Sequence, residues 1–105
     1  MARTVYVTTG TLRLLKMLSV GKSISAILEE ALEEAVDAGL YTDIPFYEER
    51  VARISVSEKV WYLVNRLRMD LGYNNQRELI FYVVAGYVAA MIGENCVRKI
   101  LSLEV

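Results

Sequence analysis

Hydrogen-bonding side chains alternate with β-branched ones in two short stretches of this chain. In Thr4-Val5-Tyr6-Val7-Thr8, the two valines fall on one side and Thr4, Tyr6 and Thr8 on the other. In Arg53-Ile54-Ser55-Val56, Ile54 and Val56 share a side, with Arg53 and Ser55 opposite. Period two with β-branched content predicts strands. If the apolar side turns inward, Thr4, Tyr6, Arg53 and Ser55 make a polar surface of two aliphatic hydroxyls, a phenol and a guanidinium fork. That is chemistry for recognition. Reaction chemistry is missing: there is no histidine, no phosphate-cradling glycine loop and no acid/base pair, which argues against an enzyme. Cys96 is the lone cysteine and has no neighbour to activate a thiolate. Common zinc sites are excluded by the same composition. No catalytic residue, metal site, cofactor or small-molecule substrate is expected.

The elements that must position these side chains come twice. Residues 3–39 and 51–93 each run as an alternating segment, a helical pattern, a glycine, a polar cap and a second helical pattern. A strand and two helices cannot enclose their own apolar faces, so each unit needs a partner, and the other half of the chain can supply it. In the first unit, Leu12, Leu14, Leu15 and Leu18 belong to a helix ending near Gly21. Ser23 caps the next, whose stripe is Ile24, Ile27, Leu28, Ala31, Leu32, Ala35 and Val36. In the second unit, Ser57 caps a helix with Val60, Leu63, Val64, Leu67 and Leu71, closed by Gly72. Asn75 followed by Glu78 resembles a capping box. The expected organisation is therefore a first unit over 1–39, a packed connector over 40–50, a second unit over 51–93 and a helical tail over 94–105. Leu40, Tyr41, Ile44, Phe46 and Tyr47 make the connector too aromatic for a disordered linker.

Composition sharpens this. Apolar residues make up 54% of the 105, above the usual range of about 45–50%, which points to an unusually buried helix or an extra association surface. Leu79–Gly93 is that helix: 15 residues without a charge, short of the ~20 that span a bilayer. No membrane partner is expected, and no secretory signal is visible. One cysteine and no disulfide imply a reducing compartment, the cytoplasm, or a host cytoplasm if the chain is viral. Residues 1–28 hold four bases and no acid, 29–49 eight acids and no base, and 50–105 eight bases and five acids. Segregated signs within a net charge of −1 predict one positive and one negative face.

Ala52–Ile80 resembles a ribbon-helix-helix unit, the fold of the Arc and MetJ repressors. The match rests on Val56 and Val60, four apart at the strand-to-helix junction, on the Val60-to-Gly72 helix length, and on Asn75-Gln76-Arg77-Glu78-Leu79-Ile80 opening the second helix. Gly21-Lys22-Ser23-Ile24-Ser25-Ala26-Ile27-Leu28 is similar to the family's glycine–serine–serine turn. The first unit departs in a first helix about one turn short and in Ala26, where the family carries an acid. The tandem form resembles transcription regulators of archaeal viruses. The resemblance implies a mainly α fold with a short two-stranded antiparallel ribbon, two tandem βαα units forming an intramolecular pseudo-dimer.

It also implies a sequence-specific transcription regulator, a repressor for example, that inserts its ribbon into the major groove of double-stranded DNA. Thr4, Tyr6, Arg53 and Ser55 would read bases. Arg3, Lys22, Ser23, Lys59, Asn74, Asn75 and Arg77 would hold phosphates, at helix N-termini and beside the ribbon. The site should be asymmetric, because Thr4/Tyr6 on one strand differ from Arg53/Ser55 on the other. One ribbon touches few base pairs, so a homo-oligomer on DNA is expected, with the acidic helix around Glu29–Asp37 attracting Arg98 and Lys99 of a neighbour. Each residue has a plainer reading. Alternation also describes a solvated sheet face, Ser23 and Asn75 cap helices regardless, and Trp61, Tyr62, Phe81 and Tyr82 read as core or interface. The competing functional class is an antitoxin-like or scaffold module on the same fold that does not read DNA. The competing architecture is a homodimer with strands paired between chains.

Overall fold

A computed structural model describes residues 2–39, 42–46 and 50–102. Leu40, Tyr41 and Tyr47 of the connector and Leu103 of the tail lie outside them. The order is β1 (Arg3–Thr8), α1 (Thr9–Leu18), α2 (Ile24–Ala38), β2 (Val51–Val56), α3 (Glu58–Leu71), α4 (Gln76–Ile92) and α5 (Glu94–Ser102). The fold is mainly helical, with one two-stranded antiparallel sheet. β1 and β2 of the same chain pair so that Thr4 faces Ser55, Val5 faces Ile54 and Tyr6 faces Arg53.

The alternation read from sequence is the alternation of burial except at Thr8, which spacing put on the polar side and which is fully buried as the cap of α1, its hydroxyl bonded to Thr11. Val5, Val7, Ile54 and Val56 are in the core, while Thr4, Tyr6, Arg53 and Ser55 are exposed. Two strands alone are marginal in water. The inward side chains, each contributing about 1.5–3 kcal/mol on full burial, fix this ribbon on the helices. α4 lies beneath it and also touches α1, α2, α3 and α5. Leu79, Ile80, Phe81, Val83, Val84, Ala85 and Val88 are buried at nearly successive positions, so α4 is enclosed on most sides and shows no single apolar stripe. Among the described residues no helix is long and apolar enough to cross a membrane.

Local chemistry sets the helix ends. The side chains of Thr8, Ser23, Ser57 and Asn75 accept from the N–H of Thr11, Ala26, Val60 and Glu78. Thr8 does double duty, as the last residue of β1 and the cap of α1. At the end of α3 the chain turns through Gly72 at φ 76°, with Gly72 N–H on Met69 O and Tyr73 N–H on Arg68 O. That reciprocal pair is the Schellman closure, and its positive φ favours glycine. Gly93, at φ 92°, turns α4 directly into α5. α5 then lies against α1, where Arg13 Nη1 donates to Ile100 O at 2.7 Å. In the connector, Ile44 is buried and the Phe46 ring meets Phe81 edge-on at 5.5 Å.

Two stripe residues differ from expectation. Val36 is 58% and Leu71 48% exposed, since both sit near helix ends that overrun the core. Phe81 is core and Trp61 and Tyr82 are half-buried, but Tyr62 stands on the surface.

Candidate nucleic-acid interface

The outer face of the ribbon consists of two cross-strand pairs. Tyr6 stands opposite Arg53, and Thr4 opposite Ser55. The Tyr6 N–H leaves the ladder and donates to Gln76 Oε1 at 3.2 Å. Tyr6–Arg53 is therefore a pair without mutual backbone hydrogen bonds, the kind whose side chains stand closest together. Tyr6 is 44% exposed although its neighbours Val5 and Val7 are fully buried. Among the described residues no ion pair involves Arg53. Its guanidinium fork is available to an external acceptor.

The N-terminus of α4 abuts the β1 edge. Asn75 Oδ1 accepts from Glu78 N at 2.9 Å. Gln76 takes the Tyr6 N–H and passes its own Nε2–H to Asn65 Oδ1 at 3.1 Å, and Asn65 donates in turn to Trp61 O at 2.9 Å. This chain ties the ribbon edge to α3 and α4 together. Tyr6, Asn65, Arg68, Asn75, Gln76 and Arg77 line one shallow polar groove there. Arg68 donates to the neutral Tyr73 O at 3.3 Å and keeps its net charge. Asn74 is exposed just before the cap.

The N-terminus of α2 is the other flank. Ser23 Oγ accepts from Ala26 N at 3.1 Å, and Ser25 Oγ accepts from Ser57 N at 2.9 Å, joining this end to the end of β2. Lys22 donates to Glu30, whose second oxygen accepts from the Tyr87 hydroxyl at 3.1 Å. The Lys22 bond, then the Tyr87 bond, hold the Glu30 carboxyl below its ordinary 4.5. The same bond raises Lys22 above 10.5. Burial first, and Glu30 second, raise the Tyr87 phenol above 10.0.

The remaining expected phosphate ligands have protein partners. Lys59 reaches Glu29 at 3.0 Å and Glu33 at 3.8 Å, and the Glu29 bond raises its pKa. Arg3 shares the helix-facing side of β1, stacks 4.6 Å from the Trp61 ring and pairs with Glu58 at 3.8 Å. Three acids of α2, Glu29, Glu30 and Glu33, are thus paired with bases from neighbouring elements, Lys59 at the start of α3 and Lys22 ahead of α2. Arg98 meets Glu94 of its own helix at 3.1 Å. Sequence reasoning missed Gln76, Asn65, Ser25 and Arg68. Their partners are remote or on the backbone, and only the edge N–H of a two-stranded ribbon, which needs an acceptor, signals that such a residue must exist.

Among the described residues no group of three or more histidine, cysteine, aspartate or glutamate side chains converges as a metal site would need. No family model matches the chain, and neither a curated protein nor a solved structure matches it.

Proposed function

We propose that this chain is a sequence-specific, double-stranded DNA-binding transcription regulator of ribbon-helix-helix type, a tandem pseudo-dimer whose ribbon enters the major groove. The observation that carries the reading is the exposed quartet Thr4, Tyr6, Arg53 and Ser55, gathered in two cross-strand pairs on a ribbon whose other face is core. A two-stranded ribbon fits the major groove, and an arginine fork matches guanine there. The helix N-termini at Ser23 and Asn75 adjoin opposite strands of the ribbon, through Ser25–Ser57 and Gln76–Tyr6. They present N–H groups and partial positive charge toward flanking phosphates. Lys22, Asn74, Arg77 and Arg68 stand beside them, and Arg3 and Lys59 would have to exchange carboxylate partners for phosphate.

The register supports the pseudo-dimer. The caps Thr8 and Ser57 begin the first helix of each half. Carried back along the strands, that correspondence makes Val5 the equivalent of Ile54, and these two residues face each other. A twofold axis between equivalent halves requires such a self-paired position. Several copies along the DNA would supply the specificity that one ribbon lacks.

A protein-interaction module on the same fold is the second reading. It is favoured by Val36 and Tyr62, which expose apolar surface where α2 and α3 meet. Arg53→Glu separates the two. Groove binding predicts loss of duplex affinity in an anisotropy titration, with a wild-type log–log salt slope near −0.9 per phosphate contact. Unchanged DNA affinity in Arg53→Glu would refute groove binding, and a wild-type chain that binds no duplex but forms a protein complex untouched by Arg53→Glu would establish the interaction module.

A further inference from the structure

The outward quartet divides unequally, and the division runs along the ribbon. The sequence contrasts one strand with the other, Thr4/Tyr6 against Arg53/Ser55. The register regroups them, because each pair takes one residue from each strand. Tyr6–Arg53 joins a guanidinium fork to a phenol ring. Thr4–Ser55 offers two short hydroxyls. Arginine binds the two acceptors of guanine and little else as well, whereas a hydroxyl accepts or donates to any base. One end of the ribbon is therefore discriminating and the other permissive.

The flanks are unequal in the same sense. Next to Tyr6 lies the polar groove at the start of α4, lined by Arg68 and Arg77, with Gln76 fixing the ribbon edge. Arg68 there is bonded to a neutral carbonyl. Beyond Ser55 lies the start of α2, where Lys22 is bonded to the Glu30 carboxylate. An ammonium already facing a carboxylate attracts a phosphate less than a guanidinium facing a carbonyl does. The more selective pair thus adjoins the helix start at which Arg68 is bonded to a neutral carbonyl, and the permissive pair adjoins the one at which Lys22 is bonded to a carboxylate.

We infer that the chain sits on DNA in one orientation and recognises a directional, non-palindromic element: one half-site specified through a guanine met by Arg53, the other, under Thr4 and Ser55, tolerant of sequence. This rests on the ribbon being the DNA-binding face. Two identical strands could not produce it, since a symmetric dimer repeats every side chain in both half-sites.

The test selects duplexes from a random pool with the full-length chain and then measures single-base transversions across the selected site by anisotropy. In one half, transversions are expected to reduce wild-type affinity roughly tenfold to a hundredfold, and in the other by less than about threefold. Arg53→Lys, which keeps the charge but not the fork, is expected to flatten the penalties in the first half to the level of the second. A palindromic selected site, or equal penalties in both halves, would overturn the inference while leaving the ribbon as the DNA reader. Failure of the chain to select any duplex would overturn both.

Discussion

Replacing Asn75 in two ways separates helix capping from phosphate binding. Its side-chain oxygen receives the Glu78 N–H at 2.9 Å and starts α4, the helix beneath the ribbon. Asn75→Ala removes that acceptor and is expected to destabilise the fold by about 0.5–2 kcal/mol. For a domain of this size each kcal/mol lowers Tm by about 4–8 °C. Asn75→Asp keeps an equally good cap, and its charge interacts favourably with the helix N-terminus by about 0.3–1 kcal/mol. The Glu78 carboxylate in the same turn opposes part of that gain, so the stability of Asn75→Asp should equal or slightly exceed wild type. DNA affinity should move the other way. A new negative charge about 5 Å from a phosphate, at an effective dielectric between about 20 and 80, costs about 1–3 kcal/mol. That is roughly a five- to 150-fold weaker Kd, toward the low end at physiological salt. Urea unfolding of the free proteins and anisotropy titrations with one duplex give the two quantities side by side. A stable Asn75→Asp protein that binds duplex as tightly as wild type would show that no phosphate sits at the start of α4.

Two other outcomes are expected. The Glu30 carboxyl has a depressed pKa in the folded state, so its contribution to stability is present above 4.5 and is lost as pH falls through the lower folded value. Urea midpoints measured from pH 6 down to about pH 3 should fall more steeply in wild type than in Glu30→Gln, and parallel curves would remove the Lys22–Glu30–Tyr87 cluster from the account. Leu28 is fully buried in α2, and Leu28→Ala should destabilise by about 2–5 kcal/mol in chemical unfolding; a loss under about 1 kcal/mol would mean that α2 does not close the core as described.

What the sequence made legible was local. Val5, Val7, Ile54 and Val56 show their strands because a pleat puts alternate side chains on one face. Ser23, Ser57 and Asn75 announce helix starts because a cap acts within three residues of itself. The uncharged Leu79–Gly93 run betrays burial on most sides as far as Val88, whereas Met91 and Ile92 at its end are exposed. What stayed hidden was set by pairing between distant segments. Nothing near Lys59 indicates Glu29, and nothing near Arg3 indicates the Trp61 ring; only the packing of α2 on α3 and of β1 on α3 brings them together. Gln76 follows the α4 cap as an unremarkable polar residue, yet its acceptor serves an N–H seventy positions away. Val36 and Leu71 fit their helical stripes by spacing, but spacing does not say where the core ends beneath a helix.

The register also belongs to that hidden part, and it decides which side chains act together. A ribbon of two known strands still admits several pairings, and a slip of two residues would keep every valine inside. Such a slip would place Arg53 opposite Thr4 or Thr8 in place of Tyr6. The observed pairing sets Arg53 against Tyr6 and centres Val5 on Ile54. The lone arginine is thereby placed off the centre of the outer face, displaced toward the groove at α4. In a dimer of identical chains, an arginine off the axis would be matched by a second one on the far side. Joining the strands in one polypeptide removes that obligation. It also makes strand pairing independent of protein concentration, because the partner strand is tethered. The proposed directional reading needs both consequences, an unmatched arginine and a ribbon that holds together in a single chain at low concentration.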